Sequence, residues 1–297
     1  MASAPIIVGL GEILWDVFPD AKHFGGAPAN FAVHSAALGA DVSIVSAVGR
    51  DALGDEAIAV LNSLHMDTRH IQTTLQPTGT VTVNIDPAGK ADYVFATDIA
   101  WDHLEWSDDL SQLATTTDVV CFGTLAQRST ISEELIHRFV RSTRPRGLRI
   151  FDVNLRQNFY SADQIHRSLE LANVLKLNDE ELPEIATDDC GGDQRQQLRH
   201  LREQFTLDLV AMTRGDKGAL LISADEESDV VGVPAKVVDT VGAGDAFTAT
   251  LAAGLLADKS LNNINRRACE IAAYVCTQSG ATPPLPAELS RPFAQTN

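Results

Sequence analysis

From residue 117 to residue 278 the chain alternates short apolar runs with amphipathic ones, and this rhythm limits its possible folds more than any other feature. Asp118–Phe122, Arg149–Asp152, Val174–Leu177 and Asp208–Thr213 are runs of the buried-strand kind. Ser132–Arg141, Ala162–Leu171, Glu180–Ala186 and Arg195–Gln204 carry helical spacing between them. Alternation of this sort predicts an α/β fold, a doubly wound and mostly parallel sheet with helices on both faces. Ligands of such sheets gather at the carboxyl ends of the strands. Two short strands, Ala219–Ser223 and Val230–Val233, and helices over Ala246–Ala257 and about 262–278 complete the C-terminal half.

The N-terminal part mixes two patterns. Pro5–Leu10 and Val42–Val48 read as buried strands, and helices follow at Pro28–Leu38 and Gly54–Leu64. Glu12–Phe18 alternates instead, with Ile13, Trp15 and Val17 on one face and Glu12 and Asp16 on the other. Thr80–Asp86 also alternates, Pro87–Lys90 turns, and Ala91–Ala96 runs back as a hairpin. These pieces, about 12–20 and 78–97, predict a small sheet inserted in the larger α/β domain. Its apolar row, Val81, Val83 and Ile85, needs a cover. A substrate pocket would serve, or a second copy of the chain in a homodimer. With 297 residues and no internal repeat or linker, one domain spanning 1–297 is the simplest organisation.

The net charge of −17 argues against nucleic acid or an anionic membrane as partner. Any anion site must therefore be built locally. The four cysteines, Cys121, Cys190, Cys269 and Cys276, include no C-x-x-C pair, so no zinc site or disulfide framework is expected. The opening Met-Ala-Ser-Ala-Pro lacks a basic start and an apolar run, and a cytoplasmic setting is the expectation.

Two glycine stretches carry the chemistry. In Asp239-Thr-Val-Gly-Ala-Gly-Asp-Ala-Phe247, a glycine turn opens a helix, which offers free N–H groups and a positive dipole end to a phosphate. Asp245 beside it repels a phosphate. It suits either a base that accepts a proton from a hydroxyl attacking that phosphate, or a plain helix cap. Phe24-Gly-Gly-Ala-Pro-Ala-Asn30 opens another helix, with Asn30 in its first turns as a ligand or a local hydrogen-bonder. No G-x-x-x-x-G-K-[ST] occurs. Gly9-x-Gly11 is followed by Leu14 where a dinucleotide fold wants its third glycine, and no G-x-S-x-G marks a hydrolase.

Together the two stretches resemble the signatures of the ribokinase (PfkB) family of carbohydrate kinases. Gly25-Gly26-Ala27-Pro28-Ala29-Asn30-Phe31-Ala32, with Gly39 and Gly49, is similar to the N-terminal one, and Asp239–Asp245 to the C-terminal one. Asn178-Asp179-Glu180-Glu181 resembles the N-x-x-E motif and Thr213-x-Gly215-x-x-Gly218 a nucleotide-side loop. Thr250 departs from the pattern, standing where a smaller residue is usual.

The resemblance implies a ribokinase-like fold with a β-sheet lid, ATP as donor and Mg²⁺ as cofactor. It implies Asp245 as base, with Gly242, Ala243 and Gly244 as the anion hole. Arg156 is expected to neutralise the moving phosphoryl group or, failing that, to form a surface salt bridge. Asp16, Gly25, Gly26 and Asn30 would hold sugar hydroxyls, Glu181 would organise Mg²⁺ largely through water, and Asn178, Thr213, Gly215 and Gly218 would line the nucleotide site. Asp239, Thr240 and the 279–282 segment are the expected place for a monovalent cation such as K⁺. A helix N-terminus should lower the pKa of Asp245. The opening Gly-Glu-Ile-Leu-Trp-Asp-Val-Phe-Pro is most similar to fructokinases. The alternatives are a 2-keto-3-deoxygluconate kinase, a ribokinase, a nucleoside kinase, or a catalytically silent sugar-binding regulator.

Overall fold

The computed structural model describes residues 4–85, 91–186, 192–291 and 293. Strand β1 (Ile6–Leu10) leads into a small sheet through β2 (Leu14–Val17) and β3 (Lys22–Gly25). Helix α1 (Ala27–Ala37), β4 (Asp41–Gly49), α2 (Ala52–Ser63) and β5 (Ile71–Thr74) return the chain to the main sheet. The hairpin β6 (Gly79–Ile85) and β7 (Ala91–Phe95) completes the small one. Then come α3 (Asp108–Thr116), β8 (Val119–Phe122), α4 (Thr130–Ser142), β9 (Leu148–Asp152), α5 (Ala162–Leu171) and β10 (Val174–Asn178). The short α6 (Leu182–Ile185), α7 (Gln194–Gln204), β11 (Leu209–Thr213), β12 (Ala219–Ser223) and β13 (Glu227–Val230) follow. Helices α8 (Ala243–Leu256) and α9 (Leu261–Cys276) close the chain.

The main sheet has nine strands in the order β13-β12-β11-β10-β9-β8-β1-β4-β5. Every pair from β11 to β5 is parallel, and β12 alone is reversed, pairing antiparallel with β11 on one side and β13 on the other. Successive residues of its strands feed opposite layers. Ile7, Val119, Ile150, Val174 and Leu209 pack with Phe31 of α1, Leu251 of α8 and Ile264 of α9. Val8, Val120, Phe151, Leu175 and Val210 pack with Leu110 of α3, Phe139 of α4 and Ile165 of α5. Because a strand turns alternate side chains to alternate faces, runs that are apolar throughout are what a sheet covered on both sides requires.

Several expectations change. The strand read over 230–233 is β13, three residues earlier, because pairing with β12 sets its register (Ala219 opposite Val230, Ile222 opposite Glu227). Val231, read as part of that strand, is exposed beyond it. Helix α6 does not begin at Glu180: Asn178–Glu181 forms a turn stitched by its own side chains. Strands β3 and β5 and helix α3 were not anticipated.

The lid sheet runs β3-β2-β6-β7. The apolar row expected to need a partner is largely covered by the chain itself. Val81 and Val83 are buried, and Val81 packs with Leu14, Ile99 and Trp101. The seam proposed for a homodimer is therefore not a free surface at these two valines. The Ile85 side chain and the Pro87–Lys90 turn lie outside what is described. Trp15 fastens the lid, stacking edge-on to Phe24 and donating its indole N–H to the Leu53 carbonyl of α2 at 3.0 Å. Among the described residues no helix is long and apolar enough to cross a membrane.

Candidate active site

Between the lid and the carboxyl edge of the main sheet lies a cavity of about 620 Å³. Its walls include Asp16, Gly25, Gly26, Asn30, Arg156, Asn178, Glu181, Thr213, Thr240, Gly242, Gly244 and Asp245, brought together from the whole length of the chain. Ala243, Gly215, Gly218 and Asp239 are not on its wall. Gly218 instead meets the backbone of Val230–Gly232 so closely that no Cβ would fit.

Helix α8 starts at the phosphate-type turn. Gly242 caps it in the left-handed region, φ 79°, and a methyl group there would lie 2.0 Å from the Ala281 carbonyl oxygen. Only glycine combines that φ with that closeness. Asp245, the third helical residue, does not cap its own helix. Its Oδ2 accepts a hydrogen bond from Asn30 Nδ2 at 2.8 Å. The cap alternative is thereby set aside, as is a purely local role for Asn30, which lies four residues after Gly26, the N-cap of α1.

The expected low pKa of Asp245 is overturned. Burial, then the charge of Asp152, push its carboxyl up to about 6, while the Asn30 hydrogen bond, Lys176 and Arg156 oppose them. The helix dipole is worth a fraction of a kcal/mol at an exposed terminus, and desolvation outweighs it here. Asp245 still keeps a partial opening to the cavity.

At the lid end, Asp16 of β2 stands opposite His23 of β3. Burial raises its pKa, and His23 and Arg156 pull it back. Glu12 was read as part of an alternating, half-exposed strand. It precedes β2 instead, only 2 % exposed, and Oε1 accepts the Ala27 N–H at 3.3 Å. Burial raises its carboxyl to about 7, against hydrogen bonds from backbone N–H groups and the charge of Arg156.

Arg156 is exposed, donates to the Leu155 carbonyl at 3.0 Å, and has no carboxylate in ion-pair range among the described residues. The surface salt bridge is thus absent among the described residues. It rides on a bent loop in which Asn154 and Gln157 both have positive φ. The Glu181 carboxylate accepts the backbone N–H of Leu155 at 3.0 Å and of Asn178 at 2.8 Å, which ties the ends of β9 and β10 together. Among the described residues no cluster of three or more His, Cys, Asp or Glu side chains could hold a metal alone. Cys121, Cys269 and Cys276 are free thiols, and Cys190 lies outside the described residues. Behind the turn, Asp239 accepts the N–H of Val241 at 3.0 Å and of Gly280 at 3.2 Å, so the 239–240 and 279–282 segments do meet. Thr250 is fully buried and gives its hydroxyl to the Ala246 carbonyl.

Sequence reasoning passed over two buried charges. Lys176 and Asp152 are register partners on β10 and β9, with Nζ 3.0 Å from Oδ1. Thr248 of α8 donates to the other Asp152 oxygen at 2.8 Å. The available signal was a lysine inside an otherwise apolar strand.

The pattern of the pfkB family carbohydrate kinases matches this chain over residues 14–288. A fructokinase of Salmonella typhimurium is 32% identical over 263 residues, covering 84% of each chain. An uncharacterized sugar kinase of Pyrococcus horikoshii, solved in complex with ATP, superposes with a TM-score of 0.78 at 28% identity over 93% of this chain and 94% of that one. A fructokinase of Xylella fastidiosa with bound ATP has the same fold, with a TM-score of 0.83 at 24% identity over 97% of both chains.

Proposed function

The chain belongs to the pfkB family of carbohydrate kinases, and we propose that it transfers the γ-phosphoryl group of ATP to a primary hydroxyl of fructose, giving fructose 6-phosphate and ADP. The observation that carries this reading is the Asn30–Asp245 hydrogen bond, which holds a carboxyl of raised pKa beside the Gly242–Gly244 turn. The sugar oxygen forms a bond to the γ-phosphorus as the bond to the β–γ bridging oxygen breaks. ADP leaves with the electron pair, and the sugar proton passes to Asp245. The N–H groups of the turn meet the charge that develops. A carboxylate with a pKa near 6 is mostly ionised at neutral pH yet basic enough to accept a proton late in a loose transition state.

The relatives named fructokinase support the sugar, as does the lid end of the cavity. Asp16, Glu12 and Asn30 offer acceptors to several hydroxyls, and Arg156 is the only cation there without a carboxylate partner among the described residues. That same Arg156 favours the second reading, an acidic sugar such as 2-keto-3-deoxygluconate held through its carboxylate.

Mg²⁺ fits this site only as a phosphate-borne ion, since no all-protein cage exists among the described residues. Mg²⁺ commonly takes one or two carboxylates plus phosphates and water. Glu181 would hold it largely through water, and the ion would neutralise charge on the phosphate oxygens. Asn178, Thr213, Gly215 and Gly218 would border the nucleotide. A monovalent cation such as K⁺ would sit where Asp239 and Thr240 meet 279–282. A pairing of two copies through the lid would rest on the exposed Val94 of β7, since Tyr93 lines the cavity.

The test is ADP release over fructose, 2-keto-3-deoxygluconate, ribose, glucose and a nucleoside at equal concentration. The reading expects fructose to have the highest kcat/KM. A preference for the acidic sugar transfers Arg156 to the substrate and replaces the first reading by the second.

A further inference from the structure

No side chain caps helix α8, so the Gly242–Gly244 turn takes its shape from outside the helix. A methyl group built on Gly242 would meet the Ala281 carbonyl oxygen at 2.0 Å and the Ala281 Cα at 2.8 Å. The backbone at 281 therefore lies against the turn, and what fixes that backbone fixes the turn. On its amino side, Gly280 gives its N–H to Asp239 Oδ2 at 3.2 Å. On its carbonyl side, the Ala281 oxygen is met by His34 Nε2 of α1 at 2.9 Å. No other donor among the described residues reaches that oxygen, and Ala281 is buried, which leaves little room for water to replace one.

His34 is 1% exposed, the one ring with nitrogens in Asn30-Phe-Ala-Val-His-Ser-Ala-Ala37. It is absent from the cavity wall, and the chemistry assigned to the cavity does not use it. Because a carbonyl only accepts, the ring is assigned as the donor, with hydrogen on Nε2. Burial lowers the pKa of the ring, against the Ala281 carbonyl, so it is neutral at neutral pH and this is its single N–H. His34 also stands one helical turn after Asn30, whose amide holds Asp245. Helix α1 thus grips the start of α8 at two places: at the carboxyl through Asn30, and behind the Gly242 cap through His34 and Ala281.

We propose that His34 is a positioning residue for phosphoryl transfer, whose imidazole N–H holds the Ala281 carbonyl against Gly242 and so keeps the N–H groups of the Gly242–Gly244 turn in place. This rests on the kinase reading above and deepens it. His34 touches neither sugar nor phosphate and exchanges no proton. Its effect falls on the transition state, where charge spreads over the phosphoryl oxygens and donors fixed in advance are worth most.

The experiment compares wild type, His34→Leu, His34→Gln and Asn265→Leu, using ATP, Mg²⁺ and the best sugar of the panel. The affinity of each for ADP is measured alongside, with and without aluminium fluoride, a mimic of the phosphoryl group in transfer. Leu fills the place of the ring without a donor, and Gln returns an amide N–H. Asn265 controls for the loss of a buried donor as such: it is fully buried and gives its amide to the Ala219 and Ser228 carbonyls, outside the cavity. The expected result is a fall in kcat of on the order of 100-fold in His34→Leu, the scale of a misplaced catalytic group. Its KM for sugar and its affinity for ADP should stay within about threefold, while the gain from aluminium fluoride shrinks in step with kcat. His34→Gln should recover about tenfold of the loss, and Asn265→Leu should keep kcat within about threefold of wild type. A His34→Leu variant with kcat within about threefold of wild type would overturn the proposal, because the carbonyl would then hold its place unaided. So would an Asn265→Leu variant that loses as much, which would make the effect one of general stability. His34→Gln decides even where His34→Leu does not fold: a folded Gln variant about 100-fold below wild type would overturn the proposal, since the N–H would be back without the rate. A wild type that turns over no sugar at all would overturn it together with the kinase reading, and is distinct from the other outcomes, in which wild type is active.

Discussion

Asn30 Nδ2 lies 2.8 Å from Asp245 Oδ2, joining the first turn of α1 to the first turn of α8 across 215 residues of sequence. Asn30 is 4% exposed, and its own Oδ1 is buried without a partner among the described residues. One side chain thus steadies the base while offering an acceptor to whatever enters the cavity. Removing it with Asn30→Ala takes away a hydrogen bond that favours the ionised carboxylate. The acid limb of the kcat profile should rise by about one pH unit, since a hydrogen bond to a charged group is worth roughly 1.5–3 kcal/mol. The KM for sugar should rise as well. A limb that stays in place in the variant would detach Asn30 from the base.

In the wild type, kcat/KM should fall below about pH 6 with the slope of one proton, because the base works only when ionised and its carboxyl titrates at about 6. Glu12, at about 7, is the competing source of such a limb. The Glu12→Gln variant decides between them: a limb persisting near pH 6 belongs to Asp245, and one that vanishes belongs to Glu12.

A raised carboxyl pKa has a sign for stability. The folded protein holds the Asp245 proton more tightly than the unfolded chain, whose carboxyl titrates near 3.9. Stability from this group is therefore full below about pH 4, is lost as pH rises to about 6, and stays lost above it. Asp245→Asn removes the penalty. Urea denaturation at pH 7.5 should find the variant more stable by on the order of 3 kcal/mol, at 1.4 kcal/mol per pKa unit. The advantage should shrink towards pH 4. Equal stability at both pH values would contradict the assignment.

Two glycines should respond differently to alanine. Gly242 has φ 79° with the Ala281 carbonyl 2.0 Å from the added methyl, whereas Gly215 has φ 56° with nothing within 4 Å. Gly215→Ala should cost about 1 kcal/mol of backbone strain. Gly242→Ala should cost about 2–4 kcal/mol, strain and overlap together, and should abolish turnover. Comparable costs in the two variants would mean that the 281 segment yields easily and does not shape the turn.

The main sheet was legible because strands covered on both faces must be apolar throughout, as Val119–Phe122 and Leu209–Met212 are. The glycine turns were legible because backbone geometry leaves so few residue choices. Strand β3, Lys-His-Phe-Gly, had no such signature: it is held by pairing with β2, Trp15 opposite Phe24, rather than by its own pattern. Strand β13, Glu-Ser-Asp-Val, turns Ser228 and a half-buried Val230 inward and takes its register from β12. In the site, Asp245 and Asn30 could be named separately, but their hydrogen bond depends on how α1 and α8 pack. The pKa of Asp245 was misjudged because a helix end is visible in sequence and burial is not. Lys176 and Asp152 lie within the expected strands Val174–Leu177 and Arg149–Asp152, yet only the register of β9 and β10 makes them a pair.

The most direct test of the central claim is phosphorus NMR of fructose, ATP and Mg²⁺ incubated with wild type and with Asp245→Asn. The account predicts a sugar 6-phosphate resonance growing in step with ADP for the wild type, and a rate at least about 10³-fold lower for the variant. Phosphorylation of fructose by Asp245→Asn at near wild-type rate would contradict the assignment of Asp245 as the base and, with it, the mechanism built on this cavity.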